Sequence, residues 1–82
     1  MNIRISNISL NTTDLELRKL FVPYGNVDTA QVCRNSLNGR SLKYGKVCMP
    51  VPAQGRQAIA SLDQTVLDGK LISVSELPAE LY

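Results

Sequence analysis

The sequence predicts an α+β domain in which a four-stranded antiparallel sheet carries two helices on one face. Two observations support this class. Four segments alternate apolar and polar residues with a period of two, as half-buried strands do, and two segments repeat apolar residues with helical spacing. Their order along the 82 residues is β-α-β-β-α-β. Two halves of this kind pack as one sheet with both helices on the same side, so we expect the other face to be open.

The first strand is predicted over 2–8. Ile3 and Ile5 fall on one face of this segment, and Arg4 and Ser6 fall on the other. Because apolar residues occupy only one face, the segment is expected to be half buried, with Arg4 and Ser6 on the open side.

A helix follows over 14–21. Thr13 and Glu16 have the spacing of a capping box, and acidic residues occupy the first turn, where the helix dipole favours them. An apolar stripe with i, i+3, i+4 spacing consists of Leu17, Leu20 and Phe21. Pro23 and Gly25 are expected to stop the helix.

The second strand is predicted over 27–34 and the third over 43–49, separated by a polar, turn-rich loop at 35–41. The covered face of the two strands is expected to hold the smaller or apolar residues Ala30, Val32, Gly45, Val47 and Met49. Their open face is expected to hold Thr29, Gln31, Cys33, Tyr44, Lys46 and Cys48.

The second helix is predicted over 53–63, with Ala58, Ile59 and Leu62 at helical spacing. Asp68-Gly69 is typical of a turn, and a last strand is predicted over 70–76. Alternation in this strand places Ile72 and Val74 inward.

Composition argues against an enzyme, a metal protein or a membrane protein. The chain has no His, which removes the usual general base and the commonest zinc ligand, and its two cysteines lack zinc-site spacing. No segment has the apolar length of a membrane span, and the start lacks the apolar core of a signal peptide. We therefore expect a cytoplasmic protein that needs no metal or cofactor.

The two cysteines are expected to be free thiols. Cys33 and Cys48 are predicted on adjacent strands, three or four residues out of register. That offset corresponds to about 10 Å or more along a strand, beyond the reach of a disulfide bond.

Two of the predicted strands carry recognisable motifs: residues 3–8 are Ile-Arg-Ile-Ser-Asn-Ile, and residues 42–49 are Leu-Lys-Tyr-Gly-Lys-Val-Cys-Met. They resemble the first-strand motif RNP2 and the third-strand motif RNP1 of the RNA-recognition motif family. Leu20-Phe21 followed by Gly25 and Val27 is similar to the family's helix-to-strand run, and 67–74 to its turn and last strand. The resemblance implies the ferredoxin-like fold, strand order 4-1-3-2 and one such domain over 1–82. The layout looks like the small single-motif proteins of bacteria.

The resemblance implies binding of single-stranded RNA on the open sheet face, where the family stacks bases on aromatic side chains. Of the three usual stacking positions, only Tyr44 is aromatic here, because Arg4 and Lys46 occupy the other two. The motifs are thus degenerate, and each lost stack is worth about 1–3 kcal/mol. A guanidinium can itself stack on a base or contact a phosphate.

Six of the nine basic residues are predicted on the sheet strands or the 35–41 loop, whereas Asp14, Glu16 and Asp63 are predicted on the helical side. A net charge of only +2 therefore hides a basic sheet side, which favours phosphate contact. The expected RNA-binding residues are Arg4, Ser6, Gln31, Arg34, Arg40, Lys43, Tyr44, Lys46 and Lys70. We expect binding that is weak and salt-sensitive.

Three alternatives stay open at this level. The charges on the open face could merely keep an exposed sheet soluble. The chain could instead be a protein-interaction module or homodimer, using apolar residues near the sheet such as Leu42, Leu71 and Met49. The same fold also carries small acylphosphatases, but the loop Ser9-Leu10-Asn11-Thr12 lacks the glycine and arginine that their phosphate-binding loop needs.

Overall fold

A computed structural model describes residues 1–78 and contains a four-stranded antiparallel sheet, a separate two-stranded ladder and two helices. In chain order the elements are β1 Asn2–Ser6, α1 Asp14–Phe21, β2 Thr29–Arg34, β3 Ser41–Cys48, α2 Pro52–Leu62, β4 Val66–Leu67, β5 Lys70–Leu71 and β6 Ser73–Leu77. The large sheet has the order β2-β3-β1-β6, which confirms the predicted order with β6 as the fourth strand. Residues 79–82 of the expected 1–82 domain lie outside the described residues.

One hydrophobic core lies between the sheet and the helices. Its buried members are Ile3, Ile5, Ile8, Leu17, Phe21, Ala30, Val32, Val47, Met49, Ala58, Leu62, Ile72 and Val74. The inward-facing strand residues predicted from period-two alternation are all buried, Gly45 included. The polar side chains between them are therefore left on the other face of the sheet.

Helix α1 begins at Asp14 because Thr13 caps it. The Thr13 Oγ1 atom accepts a hydrogen bond of 3.2 Å from the Glu16 backbone N–H, which satisfies one donor of the first turn. Leu17 and Phe21 are fully buried, and Leu20 packs partly against the core. A short 3₁₀ turn, Val22–Tyr24, ends at Gly25, whose φ of 147° is unfavourable for other residues.

Helix α1 approaches β3 closely at Gly45. A Cβ atom at that position would lie 2.6 Å from Leu17 Cδ1 and 2.8 Å from the carbonyl oxygen of Gln31. The absence of a side chain at Gly45 thus sets how closely the helix packs on the sheet.

Both edge strands of the sheet receive a carboxylate. Asp14 Oδ1 accepts a hydrogen bond of 2.7 Å from the Val32 N–H of β2, and Asp63 Oδ1 accepts one of 2.8 Å from the Val74 N–H of β6. Asp14 opens α1 and Asp63 closes α2, so each helix places one acid at one edge.

The structure differs from the sequence prediction at several boundaries. Strand β2 begins at Thr29 instead of 27, and β3 spans Ser41–Cys48 instead of 43–49. The first strand ends at Ser6, because Asn7 adopts a φ of 62° that leaves the sheet. Helix α2 begins at Pro52, which suits a helix start because no intrahelical partner is lost there. The last strand predicted over 70–76 is wrong at its beginning, because residues 70–71 pair with 66–67 and β6 starts only at Ser73.

Over residues 1–78, neither helix has the length and apolar character needed to cross a membrane.

Candidate functional site

The face of the large sheet opposite the helices is polar, and cross-strand register arranges its side chains in rows. The row through the middle of the sheet, called the central row below, consists of Gln31, Lys46, Arg4 and Ser75, one residue from each strand. In the next row, Ser6 of β1 lies between Tyr44 of β3 and Ser73 of β6. The two central strands, β3 and β1, therefore present two cations and one aromatic ring side by side.

Arg4 and Tyr44 are in direct contact. The Arg4 Cζ atom lies 4.6 Å from the centroid of the Tyr44 ring, within the range of a cation–π interaction. The two residues sit diagonally across the β1–β3 pair, since Arg4 is opposite Lys46 and Tyr44 is opposite Ser6. The structure thus brings together the expected stacking tyrosine and the arginine that replaces a second aromatic residue.

The open face is free of acidic side chains as far as residues 1–78 define it. Alternation assigns to it Asn2, Arg4, Ser6, Thr29, Gln31, Cys33, Tyr44, Lys46, Cys48, Ser73, Ser75 and Leu77. Asp14, Glu16 and Asp63 are on the helical side, as the sequence predicted. Among residues 1–78, the acidic side chains named above therefore lie on the side of the sheet opposite Arg4.

Three further predicted cations cluster where β2 and β3 are joined. Arg34, opposite Ser41, donates through Nη1 to the Gly39 carbonyl oxygen at 3.4 Å, which draws its side chain along the loop. Arg40 is exposed in the same loop. These residues extend the basic surface from the central row to one end of the sheet.

Lys43 belongs to the same end and lies in an irregular part of β3. The register shifts between Val32 and Arg34, where β3 contains extra residues, and Lys43 has a φ of 67°. Its N–H donates to Ser41 Oγ at 3.0 Å, and its carbonyl oxygen accepts from the Ile8 N–H at 3.1 Å. The backbone on both sides of Lys43 is thereby held to its neighbours.

Lys70 lies apart from the other predicted site residues. It is in β5, opposite Leu67 in the two-stranded ladder, and not in the four-stranded sheet. The predicted Asp68-Gly69 turn is present, with φ values of 50° and 79° that suit a two-residue hairpin. The part of Lys70 in binding remains a prediction from the sequence. The basic surface on the sheet and the 35–41 loop comprises the other five predicted cations, Arg4, Arg34, Arg40, Lys43 and Lys46.

The β4–β5 hairpin is fastened beside α1. Asp68 Oδ2 accepts a hydrogen bond of 2.9 Å from the buried Thr12 hydroxyl, and Asn7 Nδ2 donates to the Leu71 carbonyl oxygen at 2.7 Å. A hydrogen bond between the Glu16 and Asp68 carboxyl groups raises the pKa of Glu16 and lowers the pKa of Asp68. Glu16 thus contacts both Thr13, which caps α1, and Asp68 of the hairpin.

The two thiols are free and half buried. Cys48 pairs with Thr29 in the β2–β3 register, four residues along β2 from Cys33. The register therefore agrees with the predicted separation.

Sequence reasoning did not include Ser75 and Ser73 of β6 among the site residues, although it placed both on the outer face. Ser75 is the direct neighbour of Arg4 in the central row, and Ser73 Oγ accepts from Gln64 Nε2 at 3.3 Å. Combining the alternation in 73–77 with the expected strand order would have placed both serines on the open face next to β1, where Ser75 lies beside Arg4 and Ser73 beside Ser6.

The chemistry available on this face is stacking, hydrogen bonding and attraction of anions. Over residues 1–78, the structure contains no group of three or more Cys, Asp or Glu side chains that could hold a metal ion. Planar groups (Tyr44 and the Arg4 guanidinium), cations and hydroxyls on a flat surface suit an extended polyanion with planar substituents.

Comparison with known proteins gives a family match. The model of the RNA recognition motif matches residues 3–73. The chain is 32% identical over 75 residues to a polyadenylate-binding protein, cytoplasmic and nuclear, from Candida glabrata, covering 92% of the chain and 13% of that protein. It is 36% identical over 73 residues to glycine-rich RNA-binding protein 1 from Mycosarcoma maydis, covering 89% of the chain and 42% of that protein. The chain thus spans less than half the length of either relative.

Solved structures agree in fold. RNA Binding Protein PG1 superposes with a TM-score of 0.89 at 31% identity, over 95% of the chain and 98% of that structure. A Sxl-lethal protein/RNA complex superposes with a TM-score of 0.89 at 26% identity, over 94% of the chain and 46% of the solved chain. The second structure holds the same fold together with RNA.

Proposed function

The chain belongs to the RNA recognition motif family, and from that premise we propose that it binds single-stranded RNA on the open face of its sheet, with Tyr44 stacking on a base and the neighbouring cations contacting phosphates. The observation that carries this proposal is the placement of Arg4, Lys46 and Tyr44 side by side on β1 and β3, on a face without acidic side chains among the described residues. The chain is not an enzyme: it belongs to a family of RNA recognition motifs, and its relatives are named as polyadenylate-binding and RNA-binding proteins.

Stacking and charge are assigned to different residues in this proposal. Tyr44 is the one aromatic side chain that alternation assigns to the open face within residues 1–78, so base stacking on an aromatic ring is centred there. Arg4 and Lys46 flank it, and Arg34, Arg40 and Lys43 continue the charge toward the loop. Each cation that neutralises a phosphate adds to affinity and makes it more salt-dependent.

The remaining predicted contacts are polar. Gln31 ends the central row and Ser6 lies beside Tyr44, so an amide and a hydroxyl are available to the edges of bases and to ribose. Lys70, on the separate hairpin, would contact only a strand that extends beyond the sheet. We further propose that residues 1–82 act as one domain and that the protein works in the cytoplasm, which is one of the two compartments in the name of the polyadenylate-binding relative, cytoplasmic and nuclear.

A titration of 15N-labelled protein with pools of short single-stranded RNA, followed by amide chemical shifts, tests the proposal. Shifts confined to β1, β3 and the 35–41 loop are expected, and Tyr44→Ala should weaken binding by about five-fold to more than about a hundred-fold, since the stack is worth about 1–3 kcal/mol. Tyr24→Ala is no suitable control, because Tyr24 packs against the core. Arg56→Ser on the outer side of α2 is the matched surface control.

Absence of binding at about 100 μM RNA in low salt would overturn the proposal, given that non-specific binding alone reaches this range. Shifts confined to the helices would overturn the assignment of the face. The competing function, a protein-interaction module or homodimer, predicts a dimer by light scattering and no response to RNA. Leu42 and Leu71 are 46% and 51% exposed, and Leu42→Ser and Leu71→Ser would return such a dimer to a monomer.

A further inference from the structure

The Arg4–Tyr44 contact changes how a base can stack on this sheet. We propose that Arg4 is itself a stacking residue, with its planar guanidinium held by the Tyr44 ring, so that a base packs on the guanidinium. This inference rests on the proposed RNA binding. It assigns to Arg4 a role that depends on the shape of its side chain as well as on its charge.

The guanidinium of Arg4 lies over the ring of Tyr44. With Cζ 4.6 Å from the ring centroid, the guanidinium covers one face of Tyr44, so that face is not available to a base unless Arg4 moves. Within residues 1–78, the contact with the Tyr44 ring is the only interaction of the Arg4 side chain, and Arg4 is exposed. The guanidinium is therefore accessible to a ligand.

In the central row, Arg4 lies between Lys46 of β3 and Ser75 of β6. Lys46 and Tyr44 lie on its β3 side, so a ligand reaches the guanidinium from the β6 side, over Ser75 and Ser73. Ser73 Oγ already accepts from Gln64 Nε2, which leaves its hydroxyl proton to donate. A base stacked on Arg4 would have hydroxyl groups within reach of its edge.

The side chains of arginine and lysine carry the same charge but differ in shape. Arginine is planar and delocalised, and it stacks on aromatic faces and on bases, whereas the ammonium group of lysine is a compact point charge. If Arg4 acted by charge alone, a lysine at this position would bind RNA equally well. If it acts as a plane between Tyr44 and a base, Lys would keep phosphate attraction and lose the stack.

The test compares Arg4→Lys, which keeps the charge, with Arg4→Phe, which keeps a plane. Each variant and the wild type are titrated with an octamer of adenosines and with an abasic RNA backbone of the same length, at several salt concentrations. The expected wild-type result is binding at least about ten-fold tighter to the adenosine octamer than to the abasic backbone, since base stacking is a large part of single-strand affinity.

Arg4→Lys is expected to lose most of that ten-fold preference while the salt dependence stays unchanged. Arg4→Phe is expected to keep the preference while the slope of log K against log salt falls by about 0.7, the amount for one phosphate on a single strand. The double variant Tyr44→Leu, Arg4→Lys should lose no more of the preference for the adenosine octamer than either single variant, because each change removes the same stack of a base on the Arg4–Tyr44 pair.

Two results would overturn the inference. If Arg4→Lys kept the full preference for the adenosine octamer over the abasic backbone, the charge at this position would suffice for that preference. If Arg4→Lys bound the adenosine octamer more tightly than the wild type, Arg4 would be blocking the stacking of a base on the Tyr44 ring. If the wild-type protein bound neither the adenosine octamer nor the abasic backbone, the proposed RNA binding itself would be overturned. Failure of the inference and failure of the proposed function are therefore distinguishable.

A measurement without RNA checks the geometry. The Arg4 side-chain protons should show an upfield ring-current shift that disappears in Tyr44→Leu, whereas the absence of that shift in the wild type would overturn the proposed pair.

Discussion

Lys43 has a backbone conformation that glycine adopts more readily than lysine. Its φ of 67° falls in the left-handed region, which costs an L-residue with a Cβ atom about 1–2 kcal/mol. The position is held from both sides, by Ser41 Oγ on its N–H and by the Ile8 N–H on its carbonyl. The surrounding structure thus keeps a lysine in a strained conformation next to Tyr44.

We expect Lys43→Gly to leave the fold intact and to stabilise it by up to about 1 kcal/mol, the relief of strain being partly offset by the greater freedom of glycine in the unfolded chain. The same variant should bind RNA more weakly, since one cation is lost. Urea denaturation and RNA titration measure the two effects. Lys43→Ala, which removes the charge but keeps the Cβ atom, is the control, and destabilisation by glycine but not alanine would contradict the explanation.

The Glu16–Asp68 pair gives a residue-scale dependence on pH. A raised pKa of Glu16 means that its contribution to stability is fully present below the pKa of the unfolded chain and is lost as pH rises through the folded value. The lowered pKa of Asp68 has the opposite sign, so its contribution is present above the ordinary value of 3.8 and lost as pH falls through the folded value. As the pH rises through the raised pKa of Glu16, the proton shared by the two carboxyl groups is lost, and their hydrogen bond is lost with it.

Glu16→Gln supplies an N–H donor to Asp68 at any pH. We expect a small increase in Tm at neutral pH that shrinks as the pH falls through the raised pKa of Glu16, where the wild type gains its own proton. Thermal melts across the acidic and neutral range measure it, with Glu76→Gln, on an exposed residue, as the control for loss of one charge. A constant difference at every pH would argue against the shared proton.

Among the elements, the packing of α1 on β3 depends on one missing side chain. Gly45→Ala would place a Cβ atom 2.6 Å from Leu17 Cδ1 and 2.8 Å from the backbone oxygen of Gln31, and the second of these atoms cannot move freely. We expect a loss of about 1–3 kcal/mol of unfolding free energy, as for other overpacked sites. Ser75→Ala on the exposed face is the control in the same denaturation experiment, and a Gly45→Ala variant as stable as this control would refute the close approach.

The carboxylate of Asp14 holds the edge of β2. Asp14→Ala leaves the Val32 N–H without its 2.7 Å partner, and we expect a loss of about 1–2 kcal/mol together with faster amide exchange at Val32. Asp14→Asn keeps an oxygen acceptor and should restore most of the protection. Asp28→Ala removes the same charge near the same strand and controls for electrostatics. Unchanged exchange at Val32 in Asp14→Ala would contradict this role.

Sequence patterns predicted the elements better than their connections. Alternation in 2–8 and the apolar stripe of α1 are local properties, so they identified β1, α1 and the open face. The same alternation continued through Lys70, Ile72 and Val74 and concealed the break before β6, which arises because Ile72 exchanges backbone hydrogen bonds with 64–65 instead of β1. The Arg4–Tyr44 contact depends on the register between β1 and β3, which period two does not encode.

At the scale of the whole molecule, charge is distributed unevenly between two sides. The net charge is +2, but Arg4, Lys46 and the three loop cations lie on or beside the open face, and the acids of α1 and the end of α2 lie on the other side. Net charge therefore understates the attraction that a polyanion approaching the sheet would experience.

This asymmetry predicts different effects from equal changes in net charge. Lys46→Ser should lower the slope of log K against log salt by about 0.7 and weaken RNA binding, because a phosphate contact is lost. Arg56→Ser, on the outer side of α2, should leave the slope unchanged within error. Anisotropy titrations over a series of salt concentrations measure both slopes. Equal effects of the two substitutions would mean that overall charge, not the sheet face, governs binding.

The acids at Val32 and Val74 have a consequence for the ways in which this domain can join other chains. A peptide that binds by strand addition needs unoccupied N–H and C=O groups along an edge strand. Here such a peptide would have to displace a carboxylate from the middle of β2 or of β6 before it could form a continuous ladder. Binding partners are therefore expected on the faces of the sheet and not at its edge strands β2 and β6. For the same reason, copies of this domain at high concentration are not expected to associate by edge-to-edge strand pairing.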